Sequence, residues 1–180
     1  MNGRTRLKNA IEGKKCDRMP VAPFIWHNFI REFTGDVKAD TIEKGIEVYK
    51  YFGFDIILRT CTIGGVLDFN NEYSDDWQVD TDTLKEQNGV VVTTTIKTPG
   101  GVLTERKNVR QRTRYYDVEA VFESFIKTPE DFELFFKYQP PVPRYDCSNI
   151  TRARDLVGDS GLIAPWISGA FNTVARLRNL

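Results

Sequence analysis

The sequence predicts an α/β protein built on parallel strands, and only the front part of one. Short apolar strands alternate with amphipathic helices along most of the chain, the pattern of a parallel sheet or barrel. A closed barrel of eight such units takes roughly 250 residues, whereas this chain has 180 and stops inside a new helix at Leu180. A β-branched run, Val90-Val91-Val92-Thr93-Thr94-Thr95-Ile96, and the turn Pro99-Gly100-Gly101 stand outside that alternation. They predict an inserted antiparallel hairpin.

The elements follow in order. Asn2 caps a first helix in which Leu7, Ala10 and Ile11 share a face, and Gly13 stops it. Arg4, Arg6 and Lys8 lie mostly off that stripe. Pro20 forces Met19 to be extended. Val21-Ala22-Pro23-Phe24-Ile25 then reads as a short buried strand. Asp40 and Glu43 open the next helix as a variant capping box, with Ile42, Ile46, Tyr49 and Phe52 as its apolar stripe and Gly53 as its stop. Phe54-Asp55-Ile56-Ile57-Leu58 is the second strand.

An acidic stretch leads to Trp77, and Asp75-Asp76 reads as a solvated turn. The hairpin strands are 90–96 and 102–106, and the weak alternation of Tyr116, Val118, Ala120 and Phe122 adds a third. Thr128 caps another helix, with Pro129 in its first position and Glu130 and Asp131 against its dipole. Phe132, Phe135 and Phe136 form its buried stripe. Pro140-Pro141-Val142-Pro143 is a stiff linker. Ser148 opens a helix with Ile150, Ala153 and Val157, and Gly161-Leu162-Ile163-Ala164-Pro165-Trp166 is the third parallel strand. The whole reads as a single domain over 1–180, with the insertion at about 74–124 and the linker at about 139–147.

Composition bounds the function. Lys+Arg and Asp+Glu are 25 each, so no global field favours nucleic acid or a membrane surface. The basic run Arg106 to Arg112 reads as a solvated hairpin face, because nothing aromatic interleaves it as a stacking platform requires. Cys16, Cys61 and Cys147 are widely spaced, which signals neither a disulfide framework nor a zinc knuckle. No apolar run approaches the roughly 18 residues of a membrane span. These features describe a reduced, cytoplasmic protein.

Arg4-x-Arg6-Leu7-x-x-Ala10-Ile11-x-Gly13, followed by Asp17-Arg18-Met19-Pro20-Val21, resembles the opening of the uroporphyrinogen decarboxylase superfamily, which includes corrinoid-dependent methyltransferases. Ile126-Lys127-Thr128-Pro129-Glu130-Asp131-Phe132 and Gly161-Leu162-Ile163-Ala164-Pro165-Trp166 resemble later segments of the same family. The resemblance implies a TIM (β/α)8 barrel with only its first half present. It also implies a small-molecule methyl donor or a tetrapyrrole as substrate, and a corrinoid protein as partner.

Decarboxylases carry an arginine-rich motif for propionates after the first strand. Here that segment is Ile25-Trp26-His27-Asn28-Phe29-Ile30-Arg31, with one displaced arginine. Their catalytic aspartate falls near Cys61-Thr62, and neither residue is acidic. The methyltransferase branch is the better match; a heme-pathway decarboxylase and an inactive partner-binding remnant are the alternatives. The zinc that the branch implies takes a His-x-Cys and a distant Cys from the second half. No His-x-Cys occurs here and His27 is the sole histidine, so no metal or other cofactor is expected on this chain alone. A half barrel is expected to self-associate or to require its missing half.

Barrel chemistry gathers at the C-terminal ends of strands. That rule selects Trp26, His27 and Asn28, then Arg59 and Cys61, then Trp166 and Ser168. His27 and Cys61 are the catalytic candidates. Trp26, Asn28, Arg59, Trp166 and Ser168 are the substrate-binding candidates, with Arg59 suited to a carboxylate or phosphate and the tryptophans to an apolar wall.

Overall fold

The computed structural model describes residues 1–63, 74–87, 89–141, 144–167 and 169–178. Its elements run α1 (Gly3–Ile11), α2 (His27–Thr34), α3 (Glu43–Tyr51), β1 (Ile56–Leu58), β2 (Gln78–Glu86), β3 (Gly89–Thr98), β4 (Gly101–Thr113), β5 (Tyr116–Glu123), α4 (Pro129–Tyr138), α5 (Ser148–Val157), β6 (Gly161–Ile163) and α6 (Ala170–Arg178).

The barrel expectation is overturned. The described strands form a two-stranded parallel sheet, β1–β6, and a separate four-stranded antiparallel sheet, β2–β3–β4–β5. The protein is mixed α/β, and its contacts gather into two units: 1–65 with 145–167, and 66–144 with 168–180.

In the first unit, β1 and β6 pair in register from Ile56↔Gly161 to Leu58↔Ile163. Gly161 is needed there, since a Cβ would sit 2.1 Å from the Ile56 carbonyl oxygen. The expected strand at 21–25 lies beside β1 without forming a ladder. Asp55 donates its N–H to Val21 O at 2.8 Å, and the Tyr49 hydroxyl lies 2.7 Å from Pro23 O and 2.9 Å from Ile57 O. The segment therefore runs in the same direction as β1. Pro20 and Pro23 lack the N–H groups that a regular ladder needs.

The core of this unit joins Ile25 and Ile30 to Ile42, Ile46 and Tyr49 of the α3 region, to Ile56 and Leu58 of β1, and to Ala153 and Val157 of α5. Asp40 caps the α3 region as expected, accepting from the N–H groups of Ile42 and Glu43 at 3.0 and 3.3 Å. Helix α2 was not legible in the sequence. Phe52, expected in the buried stripe of α3, is instead exposed, in ring contact with Phe29, Phe33, Tyr51 and Phe54.

Arg6 corrects a second expectation. It is buried, with its Nε and Nη2 on the two Asp17 oxygens at 2.7 and 2.9 Å and its Nη1 on Asp55 Oδ1. Asp55 is also met by Arg18 at 2.9 Å and by the Val21 N–H at 3.0 Å. A buried carboxylate needs such compensation, because desolvation alone would neutralise it.

In the second unit the expected hairpin forms as the centre of a larger sheet. β3 pairs antiparallel with β4 from Thr98↔Gly101 to Val90↔Val109, and β2 and β5 flank the two. Asp75-Asp76 is an exposed tight turn, closed by Ser74 and Trp77, which exchange backbone hydrogen bonds at 3.0 Å. The basic run lies in β4, where Arg106 stacks on Phe122 at 5.1 Å and Lys107 pairs with Glu119 at 2.9 Å.

The core here is Trp77, Ile96, Leu103, Phe125, Ile126 and Phe135, with Leu134, Tyr138 and Leu177 against it. Thr128 and Asp131 close a reciprocal capping box and Pro129 takes the first turn. Of the expected phenylalanine stripe only Phe135 is buried; Phe132 and Phe136 stack on each other in solvent. Leu177 of α6 packs on this core, while Leu180 lies outside the described residues.

Candidate functional site

The candidate site lies in the first unit, where the 21–25 segment, β1 and β6 end together. Past β6, Trp166 bridges in parallel to Thr62, which carries the β1–β6 pairing toward this end. Trp26 follows Ile25 and occupies the N-cap of α2. Its ring centre is 6.0 Å from that of Trp166, 4.6 Å from His27 and 5.4 Å from Phe24. The Arg59 guanidinium, just beyond β1, lies 5.1 Å from the Phe24 ring centre. The ring contacts thus link Arg59, Phe24, Trp26, His27 and Trp166 in one group, with Asn28 half-buried beside His27 on α2. Ser168 lies outside the described residues.

The group's electrostatics are lopsided. Trp26 offers no oxygen to cap α2, so the positive end of that helix has no side-chain cap from its own N-cap residue. Among the described residues no carboxylate pairs with Arg59 or Arg31. Arg31 is one turn along α2 from His27, and its Nε is buried without a hydrogen-bond partner among the described residues. Burial, helped by the Arg31 charge, lowers the His27 pKa below its ordinary 6.5. His27 is therefore a neutral imidazole at pH 7, free to accept or donate a hydrogen bond.

Cys61 is different from its sequence expectation as a reactive group. It is fully enclosed in the core, its thiol lies 3.9 Å from Leu58 O, and burial pushes its pKa up. Burial of this kind disfavours the thiolate, the form in which cysteine acts as nucleophile or metal ligand. All three cysteines are unpaired, and among the described residues no three His, Cys, Asp or Glu side chains converge to hold a metal ion. These residues do not fit the zinc that the sequence resemblance implies.

Two contributors escaped sequence reasoning. Phe24 was read as an interior strand residue, yet it is exposed and carries Arg59 on its face. Arg31 was read as a displaced arginine, and only its i,i+4 spacing from His27 signals that the two share a helix face.

Comparison with protein-family profiles, with curated proteins and with solved structures returns no match.

Proposed function

We propose that this protein binds a small anionic molecule with an apolar body at the Trp26–Trp166 mouth, and that it does so as a methyltransferase of the corrinoid-dependent type. One observation carries the reading: an aromatic wall of Phe24, Trp26 and Trp166 joined to an arginine that, among the described residues, no carboxylate neutralises. A guanidinium in that setting takes a carboxylate or phosphate, and the rings take the remainder of the ligand. His27, neutral at working pH, supplies a directional hydrogen bond or accepts a proton. The motifs at 4–13 and 17–21 support the superfamily that holds both decarboxylases and methyltransferases, and the methyltransferase branch takes a corrinoid-carrying protein as partner. The single arginine at 31 and the non-acidic Cys61-Thr62 speak against a tetrapyrrole decarboxylase. Three unpaired cysteines fit a cytoplasmic setting. Among the described residues no helix is long and apolar enough to cross a membrane.

The test is methyl transfer to cob(I)alamin from a panel of small N-, O- and S-methyl compounds, each with and without a carboxylate, followed by the absorbance of methylcobalamin. Turnover confined to the carboxylate donors, and cut at least tenfold in Arg59→Ala, supports the proposal. No methylcobalamin from any donor overturns the methyltransferase reading.

A further inference from the structure

Among the described residues the parallel sheet has one open side. On β1, the side away from β6 is taken by the 21–25 segment. On β6, Ala164 donates its N–H to Leu58 O at 2.8 Å. Backbone direction alternates along a strand, so the N–H and C=O of Leu162 also turn to β1 and those of Ile163 turn away. Among the described residues no strand pairs with that outer edge. A cavity of about 270 Å³ runs along it, lined by Gly161, Leu162 and Ile163 of β6, by Arg154 and Val157 of α5, by Gly158 and by Arg4 of α1. An unpaired edge with open space beside it is a template for a further strand.

The lining selects the strand. Val157, Leu162 and Ile163 offer apolar surface, and the two charged side chains are both arginines. Their present partners hold them weakly. Arg4 reaches Asp159 only at 3.9 Å with both side chains exposed, and Arg154 meets its chain neighbour Asp155 in solvent. Exposed pairs of that kind are worth about 0–1 kcal/mol, so a carboxylate that also gains main-chain bonds can displace them. We infer that the outer edge of β6 is a docking site for an extended segment of a partner protein in which apolar residues alternate with acidic ones. The segment adds to the sheet by β-augmentation: its backbone pairs with Ile163, its apolar side chains cover Val157 and Leu162, and its carboxylates meet Arg4 and Arg154.

The experiment uses the full chain and fluorescein-labelled hexapeptides read by anisotropy. The probes are an alternating Val-Glu peptide, the same peptide with alternate amides N-methylated, and an alternating Val-Lys peptide. The Val-Glu peptide is expected to bind saturably. N-methylation, which keeps the side chains and removes backbone donors, is expected to weaken it at least tenfold, and the Val-Lys peptide is expected not to bind. Arg154→Glu, at an exposed position, is expected to reverse the preference between the Glu and Lys peptides, and Arg4→Glu repeats the test from another helix. Equal binding of the N-methylated peptide, no binding of the Val-Glu peptide to folded protein, or an unchanged preference in both variants overturns the proposal. So does a dimer on light scattering that the Val-Glu peptide fails to dissociate, since the edge would then belong to a second copy.

Discussion

Arg6 and Leu7 are neighbours on α1 and both are buried, for opposite reasons. Leu7 is removed from water as an apolar side chain and was legible from its helical spacing. Arg6 is held by Asp17 and Asp55, the latter 49 positions away, and the two carboxylates raise its pKa further while it drives that of Asp17 down. No local pattern announces such a pair, because the sequence signal of a surface arginine and of a bridging one is the same. His27 was legible as a candidate from its place after an apolar run, but its protonation follows from burial and from Arg31. Its folded pKa lies below 6.5, so below pH 6.5 the unfolded chain gains the proton more readily than the folded one. Its contribution to stability is full above pH 6.5 and declines as pH falls until the folded pKa is passed. The lowered carboxylates, Asp40 beside Arg152 and Asp146 bonded to Ser148, are lost only below about pH 4. Melting temperature measured between pH 7.5 and 5.5 is therefore expected to fall for the native chain and to stay flatter for His27→Gln. Parallel slopes in the two would refute the assignment.

At the scale of elements, caps and turns were legible and strand membership was not. Asn2, Asp40 and Thr128 cap as their residue types demand, because a cap is satisfied within three residues. β2 escaped notice, since its Asp80, Thr81, Asp82 and Thr83 are exposed and carry no apolar alternation. It is an edge strand held by main-chain pairing to β3 rather than by burial. Phe132 and Phe136 misled for the converse reason: phenylalanine spacing marks a stripe, but only the face bearing Leu134, Phe135 and Tyr138 meets the core. Gly161 gives the sharpest element-scale test. A Cβ there would collide with the backbone of Ile56, so Gly161→Ala is expected to cost about 2 kcal/mol. The antiparallel sheet should keep its amide protection. Chemical denaturation with amide exchange on the four-stranded sheet checks both parts, and an unchanged midpoint would show that the β1–β6 spacing is looser than described.

At the scale of the whole molecule, balanced charge and the absence of a long apolar run were plain, whereas the division into two cores was not. Alternating strands and helices at both ends of the chain made a continuous parallel fold the natural expectation. The hairpin and its third strand between them were read as an accessory, yet the four strands that form there each have eight residues or more, against three each for β1 and β6. Separate cores imply separable stability. Asp55→Ala leaves Arg6 buried without one of its partners, and breaking a buried pair typically costs about 3 kcal/mol. Hydrogen exchange on the full chain should show faster exchange in α1, β1 and β6, with β3 and β4 unchanged; uniform acceleration would argue for a single cooperative core.

The central claim is the anion-selective aromatic mouth, and ligand titration tests it most directly. The chain has three tryptophans, and Trp77 lies in the second core, so Trp77→Phe leaves Trp26 and Trp166 as reporters. In that background phenylacetate and phenyl phosphate are expected to change the fluorescence saturably, benzylamine is expected not to, and Arg59→Ala should weaken the anions at least tenfold. Responses that do not saturate, that benzylamine reproduces, or that survive Arg59→Ala unchanged would contradict the account.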